Sequence, residues 1–252
     1  MTLLVTDAIV LHAINYLESS RILRLVTREA GVQSVLARGA RSSRKRFGNA
    51  VDLFAEGEVQ LQMKPGRDLH TLVSFDVARA RPALAADLGR FMAANALTEC
   101  VLRVVHDEAA PTVYDGVLQG LDAIAAAVPG DTVRVALGAL WRLVSEVGFT
   151  PALDRCAECH TSIADDEDVS FSHRAGGTLC GPCSAIMPGG RRLPAKARSA
   201  LLEWLAGGEP ELGEADCRAH QRLLREFLSQ HLTDGRELRA FLAWERGDLE
   251  SG

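Results

Sequence analysis

A chain of 252 residues, 47% hydrophobic and 24% charged, is too long for a typical single core and suits about two domains. Its net charge of −5 excludes a uniformly basic nucleic-acid coat, yet the charge is segregated: residues 1–80 carry eleven Lys/Arg against eight Asp/Glu, and the remainder carries 17 against 25. The opening has no basic leader and no apolar run nears bilayer length, so the expected compartment is the cytoplasm, without a membrane partner, where a regular cysteine pattern points to metal before disulfides.

The first 80 residues read as short strands. Thr6 to Leu11 supplies one, and Arg21–Thr27 with Val32–Ala37 forms a hairpin across "REAG". In "EGEVQLQMK", Glu56, Glu58, Gln60 and Gln62 alternate with Gly57, Val59, Leu61 and Met63, the period of a strand wet on one side. A "PGRD" turn leads to Leu69, Thr71, Val73, Phe75 and Val77 at every second position. Five strands without a long helix fit a small closed barrel of the OB type, with Phe54 and Phe75 in its core.

Between the hairpins lies "ARGARSSRKRFGNAVD". Arg38, Arg41, Arg44, Lys45 and Arg46 place five cations in nine residues with no acid among them. Cations that release counterions, interleaved with small residues that let the chain approach, suit phosphate binding. The bland alternative is a solvated charged loop. Arg21 and Arg24 would extend the track if their strand face points the same way. Tyr16 and Phe47 are the candidate base stackers, so backbone charge should dominate and sequence preference should be weak.

After Pro82 the period becomes helical. Leu84, Leu88, Phe91, Leu97, Val101 and Val104 form one set, and Val113, Val117, Leu121, Ile124 and Val128 a second. A third runs from a cap at Asp131 through Val133, Leu137, Leu140, Val144 and Val147. Helical pattern resumes after Pro194. The expected class is therefore α+β and multidomain: an OB barrel over 1–80, then a helical domain over 81–252 with an insertion at 154–185.

That insertion carries two Cys-x-x-Cys pairs, Cys156/Cys159 and Cys180/Cys183, separated by twenty residues. Two such knuckles complete a tetrahedral four-sulfur site, and with no open coordination position the expected cofactor is one structural zinc ion. His160 and His173 lie close enough to replace a thiolate, although exposed polar residues are the simpler reading. "CGPC" invites a thiol-disulfide oxidoreductase reading, but a glycine pair precedes it and a second thiol pair stands upstream. Six acids against two arginines over 154–183 make the knuckles a poor phosphate surface. Arg191, Arg192, Lys196 and Arg198 form a second basic cluster, equally readable as plain surface. Cys100 and Cys217 read as core cysteines. No Gly-Lys-Ser/Thr phosphate loop and no catalytic constellation is present in the sequence, so no enzyme is expected.

The opening "DAIVLHAINYLESSRILRLVTREAGVQSVLARGARSSR", the stretch "GFTPALDRCAEC" and the knuckle "LCGPC" resemble the RecO family of bacterial recombination mediators along essentially the whole chain. The resemblance implies a non-enzymatic, nucleoid-associated role in DNA repair: binding single- and double-stranded DNA, annealing complementary strands, and acting with RecR to load RecA on strands covered by single-strand-binding protein, whose acidic tail docks on the helical domain. It assigns Arg38, Arg41 and Arg44 to Arg46 to the DNA surface and the four cysteines to the zinc site that some members have. Arg134 and Arg142 are candidate partners for the acidic tail. The competing readings are the oxidoreductase and a zinc-bearing transcription or RNA-associated factor.

Overall fold

The computed structural model describes residues 2–40, 52–232 and 236–247, and Arg41, Arg44, Lys45, Arg46 and Phe47 fall outside them. The chain divides into two compact units, 1–126 and 127–252.

The first unit opens with β1 (Thr2–Tyr16), β2 (Ser20–Thr27), β3 (Gly31–Ala37), β4 (Glu56–Met63) and β5 (Leu69–Arg79), which close into a barrel of order β1-β2-β3-β5-β4. The β3–β5 pairing is parallel and every other pairing antiparallel, as the expected OB-type closure requires. Alternate residues point inward, so Ala8, Val10, Leu23, Leu25, Val35, Val59, Leu61, Leu72 and Phe75 fill the interior. β1 is far longer than its apolar stretch suggested, because pairing with β2 on one edge and β4 on the other holds even its exposed ends. A register shift between Val10 and His12 lets one strand serve both neighbours.

Three helices follow in this unit: α1 (Pro82–Ala86), α2 (Leu88–Val104) and α3 (Pro111–Ala126). The single helix expected from Leu84 to Val104 is broken at Asp87, whose extended backbone ends α1 while its carboxylate accepts from the Arg90 N–H at 2.8 Å and caps α2. Phe54 is buried as expected, but its ring packs edge-on against Phe91 of α2, 6.2 Å between centroids, outside the apolar cluster that fills the barrel. Arg81 ties the helices to the barrel. Its guanidinium donates to Asp122 of α3 at 2.7 Å, to Glu56 of β4 at 2.7 Å and to the Phe54 carbonyl at 2.8 Å. Gly31 opens β3 with φ +62, and a Cβ there would meet the His106 carbonyl oxygen at 2.1 Å.

The second unit holds α4 (Thr132–Glu146), the sheet β7-β6-β8 built from β6 (Val169–Ser172), β7 (Gly177–Leu179) and β8 (Arg191–Leu193), and helices α5 (Gly181–Ile186), α6 (Ala195–Leu205), α7 (Glu214–His231) and α8 (Arg239–Arg246). Trp141 of α4, Phe227 of α7 and Phe171 of β6 stack at centroid distances of 5.6 and 6.1 Å, forming the core beneath the small sheet. The close approach of α4 and α6 depends on Gly138, where a Cβ would meet Trp204 Cδ1 at 2.7 Å. Asp131 precedes α4 but makes no side-chain cap; its carboxylate pairs with Arg134 at 3.2 Å instead.

Candidate metal centre and nucleic-acid surface

The four cysteines separated in sequence by up to 27 positions converge here: all four Sγ atoms lie within 4.8 Å of one another. Local backbone explains why. The first knuckle closes by His160 N–H donating to the Cys156 carbonyl at 2.9 Å and Cys156 N–H donating to the Thr161 carbonyl at 2.8 Å, with His160 at φ +61 to turn the chain. β6 and β7 form a hairpin that returns the chain to it, and Ala157 N–H donates to the Thr178 carbonyl at 2.7 Å. Cys180 is the N-cap of α5, and Ser184 N–H donates to its carbonyl at 2.9 Å, which folds Cys183 back toward the first pair.

The donor chemistry suits a soft divalent ion. Bonds of about 2.3 Å to four thiolates give a tetrahedron with edges of about 3.8 Å, and the Cys159 and Cys180 sulfurs stand 3.6 Å apart. Burial opposes ionisation of the Cys156 thiol, yet the backbone N–H groups of Cys159, Cys180 and Glu158 outweigh it and bring that thiol down to about 6. The neighbouring Cys180 and Cys159 thiols push Cys183 up to about 12. A ring of sulfurs that resist joint ionisation is what a cation relieves. None of the six cysteines is joined to another by a disulfide. Among the described residues this is the only cluster of three or more candidate metal-binding side chains.

Neither histidine joins it. His173 Nε2 sits 2.9 Å from Glu226, and His160 is exposed on the knuckle turn. The tetrapeptide Cys180–Cys183 does stand between a strand and a helix, but β7 belongs to an antiparallel sheet and the second thiol pair occupies the space before it. The parallel βαβ setting of a dithiol oxidoreductase is missing here.

On the barrel, Arg38 is exposed in the turn after β3, where the basic segment begins. Arg21 pairs in register with Ala37 and lies 3.6 Å from Asp52, so it flanks both ends of that segment. Arg24 does not share its face. Three positions along an unbroken strand reverse the side-chain direction, and Leu23 and Leu25 beside it point into the barrel. Arg24 instead lines a cleft of about 340 Å³ with Arg67, His70 and His106, opposed by Asp68 and Asp107. Its Nε is buried with no hydrogen-bond partner among the described residues, and burial together with Arg103 lowers its pKa. Arg67, His70 and His106 carried no signal in sequence, because the strand pairing and the α2 terminus that gather them are tertiary.

Each member of the second basic cluster has a partner within the fold. Arg191 pairs with Glu226 at 2.5 Å, Arg192 with Asp168 at 2.5 Å and Lys196 with Asp216 at 3.8 Å, while Arg198 is buried and donates to the Ala164 carbonyl. Arg134 is likewise held, by Asp131 and Glu209 at 3.2 Å each. No helix among the described residues is long and apolar enough to cross a membrane.

A closed five-stranded OB-type barrel, then helices with a four-cysteine ribbon able to hold a metal ion, defines a class of α+β multidomain proteins. The profile described as Recombination protein O N terminal matches residues 1–81, and that described as Recombination protein O C terminal matches residues 85–239. The chain is 36% identical over 241 residues to a protein named DNA repair protein RecO of Anaeromyxobacter dehalogenans (strain 2CP-C), covering 92% of each. Proteins of the same name from Syntrophotalea carbinolica and a Nocardioides species are 32% and 30% identical, over 91% and 94% of this chain and 95% and 97% of theirs. The chain belongs to the RecO family of DNA repair and recombination proteins.

Proposed function

We propose that this chain is a non-enzymatic recombination mediator that binds single- and double-stranded DNA through its barrel, anneals complementary strands, and works with RecR to load RecA where single-strand-binding protein covers the strand. In this reading residues 1–80 are the DNA-binding domain, and 81–252 form a helical domain with its finger at 154–185. The protein acts in the cytoplasm at the nucleoid, and the acidic tail of single-strand-binding protein docks on the helical domain. The observation that carries the reading is the meeting of charge and fold: the segment with five cations in nine residues joins β3 to β4 of a closed barrel, flanked by Arg21. Arg38, Arg41, Arg44, Lys45 and Arg46 engage phosphates, Arg21 extends the track at its base, and Arg24 receives a phosphate in the separate cleft. Neutralising phosphates on two strands lowers their repulsion and leaves base pairing to supply the driving free energy. Annealing of this kind needs no covalent chemistry.

Cys156, Cys159, Cys180 and Cys183 hold one structural zinc. Bound there, the ion cross-links the two knuckles and supplies folding free energy on the order of 10 kcal/mol. The chain's own residues set the thiols in place: Thr161, Thr178 and the α5 N-terminus fix the knuckles, and the β6–β7 hairpin sets their separation.

The test is fluorescence annealing of complementary oligonucleotides by the wild type and by Arg41→Ala combined with Arg44→Ala. Annealing should fall sharply in the double variant. With four of the seven proposed phosphate-binding cations engaged on one single strand at a time, the log-log salt slope should be roughly −3. Unchanged annealing in the double variant removes the basic segment from the DNA surface.

A further inference from the structure

The second unit is acidic as a whole, with 14 Lys/Arg against 19 Asp/Glu over residues 127–252. One part of it departs from that balance. Between α7 and α8 lies a groove of about 400 Å³ lined by Arg218, Arg222, Arg225, Leu242, Glu245 and Arg246, four guanidiniums against one carboxylate.

The groove follows from the amphipathic pattern of two helices. Cys217, Leu224, Phe227 and Leu228 bury one face of α7, which leaves Arg218, Arg222 and Arg225, at i, i+4 and i+7, in a row along the other. With a rise of about 1.5 Å per residue the row runs about 10 Å along the helix axis. Phe241 and Trp244 of α8 are buried and meet edge to face at 5.1 Å, which fixes that helix and sets Arg246 and Glu245 opposite the row. Glu245 receives Arg225 Nε at 2.6 Å and so orients that guanidinium. Arg218 pairs with Glu214 at 2.8 Å, an exposed contact across one helical turn. Pairs of that kind are worth only a fraction of a kcal/mol in water and yield readily to a competing anion. Arg222 is exposed and makes no ion pair among the described residues.

We infer that the α7/α8 groove is a second polynucleotide site, which grips the phosphate backbone of a nucleic-acid strand through Arg218, Arg222, Arg225 and Arg246. Guanidinium forks match phosphate oxygens in pairs, and a linear row of them suits a ligand that repeats its charge along a line. An acidic peptide would share the charge, but such ligands also anchor an apolar side chain. Leu242 is the one apolar residue lining this groove, and there is no apolar pit. The groove reads backbone charge without base contacts, since no aromatic lines it. Its capacity for phosphate stands alone; its use, holding the second of two strands during annealing, rests on the function proposed above.

The experiment uses the full chain and two labelled oligo-dT strands of different colour, with Arg218→Ala/Arg222→Ala as the groove variant and Arg41→Ala/Arg44→Ala as the basic-segment variant. Both groove substitutions are at exposed positions, so the melting temperature should match that of the wild type. Wild type should hold both strands at once. The groove variant should hold one, with affinity for the lost strand down about ten-fold and the salt slope reduced by about 1.4, the share of two phosphates. Arg222→Lys, in the place of Arg222→Ala, should recover about half of the lost slope, the share of one phosphate. A groove variant that melts like wild type and keeps both strands and the full slope overturns the inference, as does displacement of a strand by poly-glutamate at lower charge concentration than by inorganic polyphosphate. Loss in the basic-segment variant alone overturns the groove and spares the barrel; loss in the groove variant alone does the reverse; loss of one strand in each supports both.

Discussion

His220 shows how a single side chain can set a pH limit on the fold. It is 2% exposed, its ring meets Trp204 edge-on at 5.0 Å, and neither ring nitrogen has a hydrogen-bond partner among the described residues. Burial therefore disfavours the imidazolium and takes the pKa down from 6.5 to about 4, with Asp216 opposing weakly. Above pH 6.5 the ring is neutral in both the folded and the unfolded chain, and the full stability is present. As pH falls through 6.5 toward 4, the unfolded chain takes a proton that the folded ring refuses, so stability is lost across that window. The difference corresponds to about 3 kcal/mol. His220→Phe keeps the shape and removes the proton. Urea unfolding between pH 7 and pH 4 should thus show the wild type losing about 3 kcal/mol more than the variant. Parallel pH profiles would mean that the ring is solvated.

Among the elements, α3 depends on a residue that lies outside it. Arg81 is nearly fully buried and meets Glu56 of β4, Asp122 of α3 and the Phe54 carbonyl at once. Arg81→Ala would take the buried donor from the Phe54 carbonyl and leave Asp122 and Glu56 to Arg79 alone, which is half exposed, a change that costs about 3 kcal/mol when a buried pair is broken from one side. The predicted readout is a lower urea midpoint with an unchanged slope, followed by Tyr114 fluorescence, since that ring is buried in α3. A loss below 1 kcal/mol would show the network to be solvated surface charge. Arg81 was invisible in the sequence, where it is one cation beside a proline. By contrast, the barrel was legible. Alternation over Glu56–Met63 and Leu69–Arg79 reports a sheet wet on one face, and that pattern depends on neighbours two residues apart. The break at Asp87 was hidden because the apolar residues on either side keep helical spacing across it. The cysteine ribbon was legible from thiol spacing alone. The arginine row of α7 was readable in principle, at i, i+4 and i+7, but Glu214, Asp216 and Glu226 dilute it in any short window, and only the packing of α8 adds Arg246.

For the whole molecule, the distribution of chromophores offers a test of the division of labour. All three tryptophans, Trp141, Trp204 and Trp244, lie in the second unit, and both tyrosines, Tyr16 and Tyr114, lie in the first. Trp141 reaches the thiol ribbon through Phe227 and Phe171, the latter on the strand β6 that pairs with the strand leading into the second knuckle. If zinc braces this ribbon, its removal takes away a cross-link worth on the order of 10 kcal/mol from a unit whose total stability lies near that size. The barrel has its own apolar core of Val10, Leu23, Leu25, Val59, Leu61 and Phe75. Prolonged dialysis against a strong chelator should then shift tryptophan emission to the red while tyrosine emission and the strand signal in far-ultraviolet circular dichroism persist. One equivalent of zinc should restore the tryptophan signal. Cys156→Ser should reproduce the chelated spectrum, because Cys156 is the buried member of the four and its loss opens the site from within. A tryptophan spectrum indifferent to chelation would mean that the aromatic stack holds the ribbon unaided, and the four thiols would then need another purpose.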